Sequence, residues 1–301
     1  MRVPCGFGPF ELTERLGIGG MAEVFKATAF GASGFEKTVA LKLLREEYVG
    51  EPTWERMFLE EARLQARLSH RGLVQAHDYG SVEGRPWVRL DFVDGLDVAA
   101  LRGDASLAPP LSCFIMTEVL TALAALHAAT DERGRPLGLV HRDVSATNVL
   151  VSRLGEVKLG DFGIAKATLL KDQTQGGIRK GSYAYMSPEQ VAGRALTSAS
   201  DVFSAGVLLV ELLTGHRPFD GPTPVETMER IRAATAPSVE GVPAPLLDTV
   251  NGMLALEPSA RGPLEVRRAA VRSLAADERA VTEWAQQRID SIRAARERAH
   301  D

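Results

Sequence analysis

Two tripeptides, His141-Arg142-Asp143 and Asp161-Phe162-Gly163, carry groups able to accept a proton and to hold a divalent cation. Asn148 follows Asp143 closely, and a turn at Arg153-Leu154-Gly155 separates it from Asp161. Facing each other across that hairpin, Asn148 and Asp161 offer oxygen ligands of the kind Mg²⁺ takes, with phosphate and water completing its octahedron. Asp143 lies near enough to such a metal to take a proton from an alcohol. Either tripeptide alone reads equally as a surface loop. Both together, in this order and behind the two features described next, are not a chance match.

The first feature is Leu16-Gly17-Ile18-Gly19-Gly20-Met21-Ala22-Glu23-Val24. Glycines let backbone N–H groups approach phosphates because no Cβ intervenes. Alone the segment is equally a glycine-rich hairpin turn. A strand rather than a helix after the glycines argues against a dinucleotide-binding fold.

The second feature is Val39-Ala40-Leu41-Lys42-Leu43-Leu44, a strand apolar on both faces around one cation. Lys42 is either an edge lysine reaching back to water or a buried ammonium that needs an anion. The helical pattern over 53–69 offers that anion. Met57, Glu61, Leu64 and Leu68 share one face, which sets Glu61 in an apolar stripe, whereas Glu60 joins Arg56, Arg63 and Arg67 on a solvated face.

Two kinds of framework must position these groups. Runs over 10–16, 22–29, 37–44, 74–81 and 87–92 predict short strands joined by turns, with one helix among them. After Gly95 the pattern predicts helices over 112–129, 202–214, 224–235, 243–256 and 263–276, and a strand pair over 149–152 and 156–159. The predicted organisation is an N-terminal extension (1–9), a β-rich part (10–93), a helical part (94–276) and an amphipathic C-terminal helix (277–301). Over 277–300, Val281, Trp284, Ala285, Ile289 and Ile292 recur at helical spacing. That helix either packs on the helical part or serves partner docking or self-association, with Trp284 as anchor.

The 301 residues carry 35 Lys and Arg against 39 Asp and Glu, a net charge of −4 that excludes a broad basic field for nucleic acid. With 45% hydrophobic and 25% charged residues, the chain is neither disordered nor of low complexity. Cys5 and Cys113 form no disulfide framework and point to a reducing compartment. The start of the chain lacks the apolar run of a signal peptide. The most apolar stretches, 113–129 and 202–213, are interrupted by Glu118, His127 and Glu211, short of the ~20 apolar residues of a membrane span. A soluble, cytoplasmic chain with no membrane span and no nucleic-acid partner is expected.

Over about residues 10–270 the chain resembles a protein kinase of the bacterial, eukaryotic-like serine/threonine type. The glycine segment, strand lysine, helix glutamate, His-Arg-Asp with Asn148, and Asp-Phe-Gly stand in that family's order. Tyr185-Met186-Ser187-Pro188-Glu189, Asp201-Val202-Phe203-Ser204-Ala205-Gly206 and Arg261 follow it too. The resemblance implies an α+β, bilobal fold, with a β-rich N-lobe holding one long helix and a mainly α-helical C-lobe. It implies transfer of the γ-phosphate of Mg·ATP to serine or threonine hydroxyls of protein substrates.

By position, the resemblance implies that Gly17, Gly19 and Gly20 cover the phosphates and that Val24, Ala40 and Leu150 sandwich the adenine. Lys42, held by Glu61, would bind the α- and β-phosphates; Asn148 and Asp161 would hold Mg²⁺; Asp143 would orient and deprotonate the acceptor. Leu90 would be the gatekeeper, Asp91 and Val93 would bound the hinge, and Asp97 would contact the ribose. Glu189 and Arg261 would form a structural ion pair, and Asp201 would support the catalytic-loop backbone. Phosphorylated Thr168 or Thr174 would pair with Arg142, unless these threonines are inert.

Three positions depart from the family pattern. Ala22 replaces the third loop glycine and Ala146 a frequent proline, both small changes. Ser145 stands where serine/threonine kinases usually place a lysine that touches the transferred phosphate. Losing such a donor costs roughly 2–4 kcal/mol of transition-state stabilisation if nothing compensates, so reduced rather than abolished activity is expected. The competing readings are a pseudokinase acting as a nucleotide-binding scaffold, which Ser145 favours, and a small-molecule kinase. The 185–189 segment and the Asp201 helix argue against the latter.

Overall fold

The computed structural model describes residues 3–103, 105–161, 182–233 and 239–298. Phe162, Gly163, Thr168 and Thr174 lie outside the described residues. Those described fall into two units, one of 3–69 with 74–93, the other of 70–73 with the residues from 94 onward.

The first unit is a six-stranded antiparallel sheet with one long helix. Its strands are β1 (Cys5–Phe7), β2 (Phe10–Ile18), β3 (Ala22–Phe30), β4 (Glu36–Leu44), β5 (Ala76–Val82) and β6 (Arg85–Leu90), in the order β1-β2-β3-β4-β6-β5. Alternation puts Phe7, Phe10, Leu12, Phe25, Leu41, Leu43 and Trp87 in one apolar cluster. Phe10 meets the Trp87 ring edge-on at 4.9 Å. β1 was not expected from the alternation, being three residues long; it forms because Cys5 and Phe7 extend this cluster beyond β2.

The odd-numbered residues of β4 take the cluster face, so Ala40, Lys42 and Leu44 take the other. Helix α1 (Pro52–Ala66) packs against β5 and β6. It starts at Pro52, whose fixed φ suits a first helical position. It stops before the expected 69, where Gln65 turns its Nε2 to Val74 O at 3.0 Å.

The second unit begins with β7 (Gly95–Asp97), the short helix α2 (Val98–Arg102) and α3 (Pro109–His127). β8 (Val149–Ser152) joins β7 to β9 (Val157–Leu159) in a three-stranded sheet. By length and composition α3 could cross a bilayer, contrary to the expectation from Glu118 and His127. Its Ile115, Met116, Val119, Leu120 and Leu123 are fully enclosed, however, making it the core helix of this unit. It packs against helices Ser198–Thr214 and Leu264–Arg272. The expected 243–256 helix is a 3₁₀ turn, Ala244–Leu246, running into Leu247–Met253.

The last helix, Glu278–Arg298, buries Val281, Ala285 and Ile289 and leaves Trp284 half-buried. It is fastened to its own unit: Arg288 Nε donates to Leu101 O at 2.7 Å, Arg293 meets Asp94 at 2.7 Å, and Asp290 meets Arg153 at 2.6 Å. Gly155, at φ +79°, has no room for a side chain, since a Cβ there would lie 2.7 Å from Thr282 Oγ1.

Candidate active site

In the first unit, Lys42 stands in mid-strand opposite Val24 and Val88. Its Nζ lies 2.7 Å from Glu61 Oε1, with the two residues only 7% and 3% exposed. Desolvating both ions costs several kcal/mol, which their attraction must offset, so a buried pair is a poor device for stability alone. Met57, Phe58, Ala62 and Gln65 share the buried face of α1 with Glu61, while Leu64 is half-buried. Glu60, Arg56, Arg63 and Arg67 are all exposed.

The glycine segment closes the β2–β3 hairpin, with Gly17 opposite Val24 and Gly19 N–H donating to Ala22 O at 2.7 Å. Ala40 and Leu90 are buried partners across β4 and β6. Asp91 turns its carboxylate to His77, 2.6 Å from Nε2, and its N–H to Gln75 O at 3.0 Å. Val93 is half-buried.

In the second unit the backbone around Asp143 is held by several hydrogen bonds. Asp201, 1% exposed, accepts from His141 N–H at 2.8 Å, Arg142 N–H at 2.9 Å and His127 Nε2 at 2.8 Å. Gln190 Nε2 donates to Arg142 O at 2.9 Å. Both amide groups flanking Arg142 are thereby fixed, which maintains its left-handed φ of +69° against a cost of about 1–3 kcal/mol.

His141 is fully buried, and burial pushes its pKa down, favouring the neutral ring. Its Nε2–H donates to Gly160 O at 3.1 Å, so Nδ1 is the acceptor for Asp143 N–H at 3.3 Å. That one ring ties the backbone of Asp143 to the residue before Asp161, itself at φ +51°. Asn148 donates its Nδ2 to Asp143 O at 2.8 Å, which leaves Oδ1 as the atom it can offer a cation. Gly160 N–H in turn donates to Asn148 O at 2.9 Å, bringing Asn148 beside Asp161.

Two oxygen-bearing side chains and no larger cluster fit Mg²⁺, which keeps several water or phosphate ligands. Among the described residues no group of three His, Cys, Asp or Glu side chains gathers as a metal site. Leu150 pairs with Asp97 across β8 and β7, and Asp97 caps α2 by accepting Ala100 N–H at 2.7 Å.

A family model described as protein kinase domain matches residues 10–267. The chain belongs to the protein kinase family. The match takes in both units and gives the α+β kinase fold, a β-sheet unit followed by a helical one. Among curated kinases, the chain is 38% identical over 218 residues to "Tyrosine-protein kinase MasK" of Myxococcus xanthus. It is 36% identical over 219 residues to "Serine/threonine-protein kinase PknH" of Mycobacterium bovis, and 36% over 233 residues to "Probable serine/threonine-protein kinase PknB" of Lactococcus lactis. These matches cover 71%, 72% and 76% of this chain but only 34%, 35% and 35% of the relatives, so the chain spans about a third of their length.

At the position where kinases usually carry a lysine, Ser145 is 2% exposed, its Oγ 3.1 Å from Thr147 Oγ1. Sequence reasoning found Asp201 but missed two of the residues around it. His127 shows in the sequence only as a break in an apolar run, and Gln190 only as the end of a motif string. In the kinase fold both serve the Asp143 segment, His127 through Asp201 and Gln190 through Arg142.

Proposed function

We propose that the chain is a Mg·ATP-dependent protein kinase that phosphorylates serine and threonine hydroxyls of protein substrates. The observation that carries this reading is the Lys42–Glu61 contact at 2.7 Å inside an apolar sheet, where a cation is retained at the expense of stability. Lys42 binds the α- and β-phosphates, and Glu61 keeps the ammonium in place. Gly17, Gly19 and Gly20 let backbone approach the phosphates. Val24, Ala40, Leu90 and Leu150 line the adenine, Asp91 and Val93 bound the hinge, and Asp97 contacts the ribose.

Asp143 accepts the proton of the acceptor hydroxyl as its oxygen takes the γ-phosphoryl group and ADP leaves. The His141 and Asn148 hydrogen bonds to its backbone supply the fixed aim this needs. Asn148 and Asp161 would hold Mg²⁺, which when bound neutralises phosphate charge.

The curated relatives divide on acceptor type by name, and the 185–190 segment, Tyr-Met-Ser-Pro-Glu-Gln, favours serine and threonine. Incubation with γ-labelled ATP followed by acid hydrolysis of the labelled protein is expected to release phosphoserine or phosphothreonine. Phosphotyrosine alone would assign the other acceptor class.

Ser145 supports a second reading, a weakly active kinase or a pseudokinase scaffold, because no cation stands at that position. Ser145→Lys is expected to raise kcat by up to about 10²–10³-fold, the scale of one transition-state donor. An unchanged kcat would show that Lys42 suffices. The helix-face assignment makes a further prediction: Glu61→Gln lowers kcat/KM at least about tenfold, roughly 1.4 kcal/mol, and Glu60→Gln leaves it unchanged. Similar losses in both variants would reverse that assignment.

A further inference from the structure

Arg45 directly follows β4 and belongs to none of the motifs above. Its backbone N–H donates to Met21 O at 2.9 Å. Its Nη1 donates to Gly20 O at 3.2 Å and reaches Gly19 O at 3.4 Å. Three consecutive carbonyls of the glycine segment therefore turn toward one residue.

The consequence follows from peptide geometry. In a planar trans unit, the C=O of one residue and the N–H of the next point in opposite directions. Drawing the Gly19 and Gly20 carbonyls to Arg45 turns the N–H groups of Gly20 and Met21 away from it. Successive N–H groups facing one way form a concavity for anions, and Gly19 and Gly20 leave it uncovered by side chains.

Arg45 is itself braced. Its Nη2 lies 2.9 Å from Glu47 Oε1, and its guanidinium carbon 5.8 Å from the centre of the Tyr48 ring. Tyr48 stacks on Trp54 of α1, with centroids 4.2 Å apart and planes 20° from parallel. Continuous contacts thus run from the glycine segment to the helix that carries Glu61.

We propose that Arg45 is a positioning residue for the nucleotide phosphates: it fixes the glycine segment so that the Gly20 and Met21 N–H groups face them, and it ties that segment to α1. The inference rests on the kinase reading above. It predicts a loss confined to ligands that carry phosphate.

The test is titration calorimetry of the full chain with Mg·ADP and, separately, with adenosine, for wild type, Arg45→Met and Arg45→Lys. Arg45→Met is expected to weaken Mg·ADP about tenfold, the scale of one charge-assisted hydrogen bond, and to leave adenosine within about twofold. Arg45→Lys, which keeps the charge without the fork, should fall between, and it carries the test should Arg45→Met fail to fold. Equal weakening of both ligands, or of neither, overturns the proposal, because a purely structural role does not distinguish them. A wild-type protein that takes up neither ligand contradicts the kinase reading instead, before any variant is compared.

Discussion

Lys42→Met is expected to lower phosphotransfer by about 10²–10³-fold, the scale of one transition-state donor, and to destabilise the fold by about 3–5 kcal/mol. The two losses have different origins. The first removes the cation that, in the proposed function, binds the phosphates. The second takes the Lys42 ammonium, 2.7 Å away, from a Glu61 carboxylate only 3% exposed. The double variant Lys42→Met/Glu61→Leu separates them, since replacing a buried pair with apolar side chains of similar size is often neutral or stabilising. It is expected to recover most of the lost stability by chemical denaturation while phosphotransfer stays at the single variant's level. Recovery of activity along with stability would show that the pair serves the fold and not the reaction.

Arg261→Met is expected to cost about 3–5 kcal/mol as well. Arg261 is fully buried and uses all five of its N–H donors. Nη1 and Nη2 reach the two Glu189 oxygens at 2.6 and 2.8 Å, and Nε, Nη1 and Nη2 reach the carbonyls of Ala255, Ala199 and Leu256 at 2.9, 2.8 and 3.0 Å. Lysine has three donors on one atom and cannot reproduce that fork, so Arg261→Lys should also destabilise.

Acid adds a signature. Burial pushes the Glu189 carboxyl up, but hydrogen bonds from Arg261 and Ser200 outweigh it and hold the group at about 2, below its ordinary 4.5. A lowered folded value contributes stability that is complete above about pH 4.5 and fades as the pH falls toward 2. Without Arg261 burial dominates and that contribution disappears. The gap between wild type and Arg261→Met, read by denaturant titration, should be wide at pH 7 and narrower at pH 3. A gap independent of pH would place the lost stability in the carbonyl contacts instead.

The groups that sequence made visible were those whose chemistry clashed with their surroundings. Lys42 stood out because the residues on either side of it in β4 are apolar, and Glu61 because it interrupts a helical stripe. The width of that stripe was not legible. The buried face of α1 is wider than that stripe and takes in Phe58, Ala62 and Gln65, while Leu64 stays half-buried. Gln65 is buried because its amide finds Val74 O beyond the end of the helix, a partner no helical period reveals.

Long-range polar partners were hidden for the same reason. The Arg45 hydrogen bonds span 25 and 26 positions, and the His127–Asp201 contact spans 74. Neither arginine nor histidine carries a local signal for a partner so distant. The strand Cys5–Phe7 was too short for alternation to register, and it is held by the cluster it completes.

In the proposed reaction Asp143 is the base, and its backbone is fastened by hydrogen bonds to His141 and Asn148. Transfer of label from γ-³²P-ATP to protein, measured for wild type and Asp143→Asn at equal concentration in the presence of Mg²⁺, tests this most directly. Wild type is expected to incorporate label at seryl and threonyl residues, and Asp143→Asn to fall by about 10²–10⁴-fold, the range of a lost general base. Equal incorporation by the two proteins would contradict it.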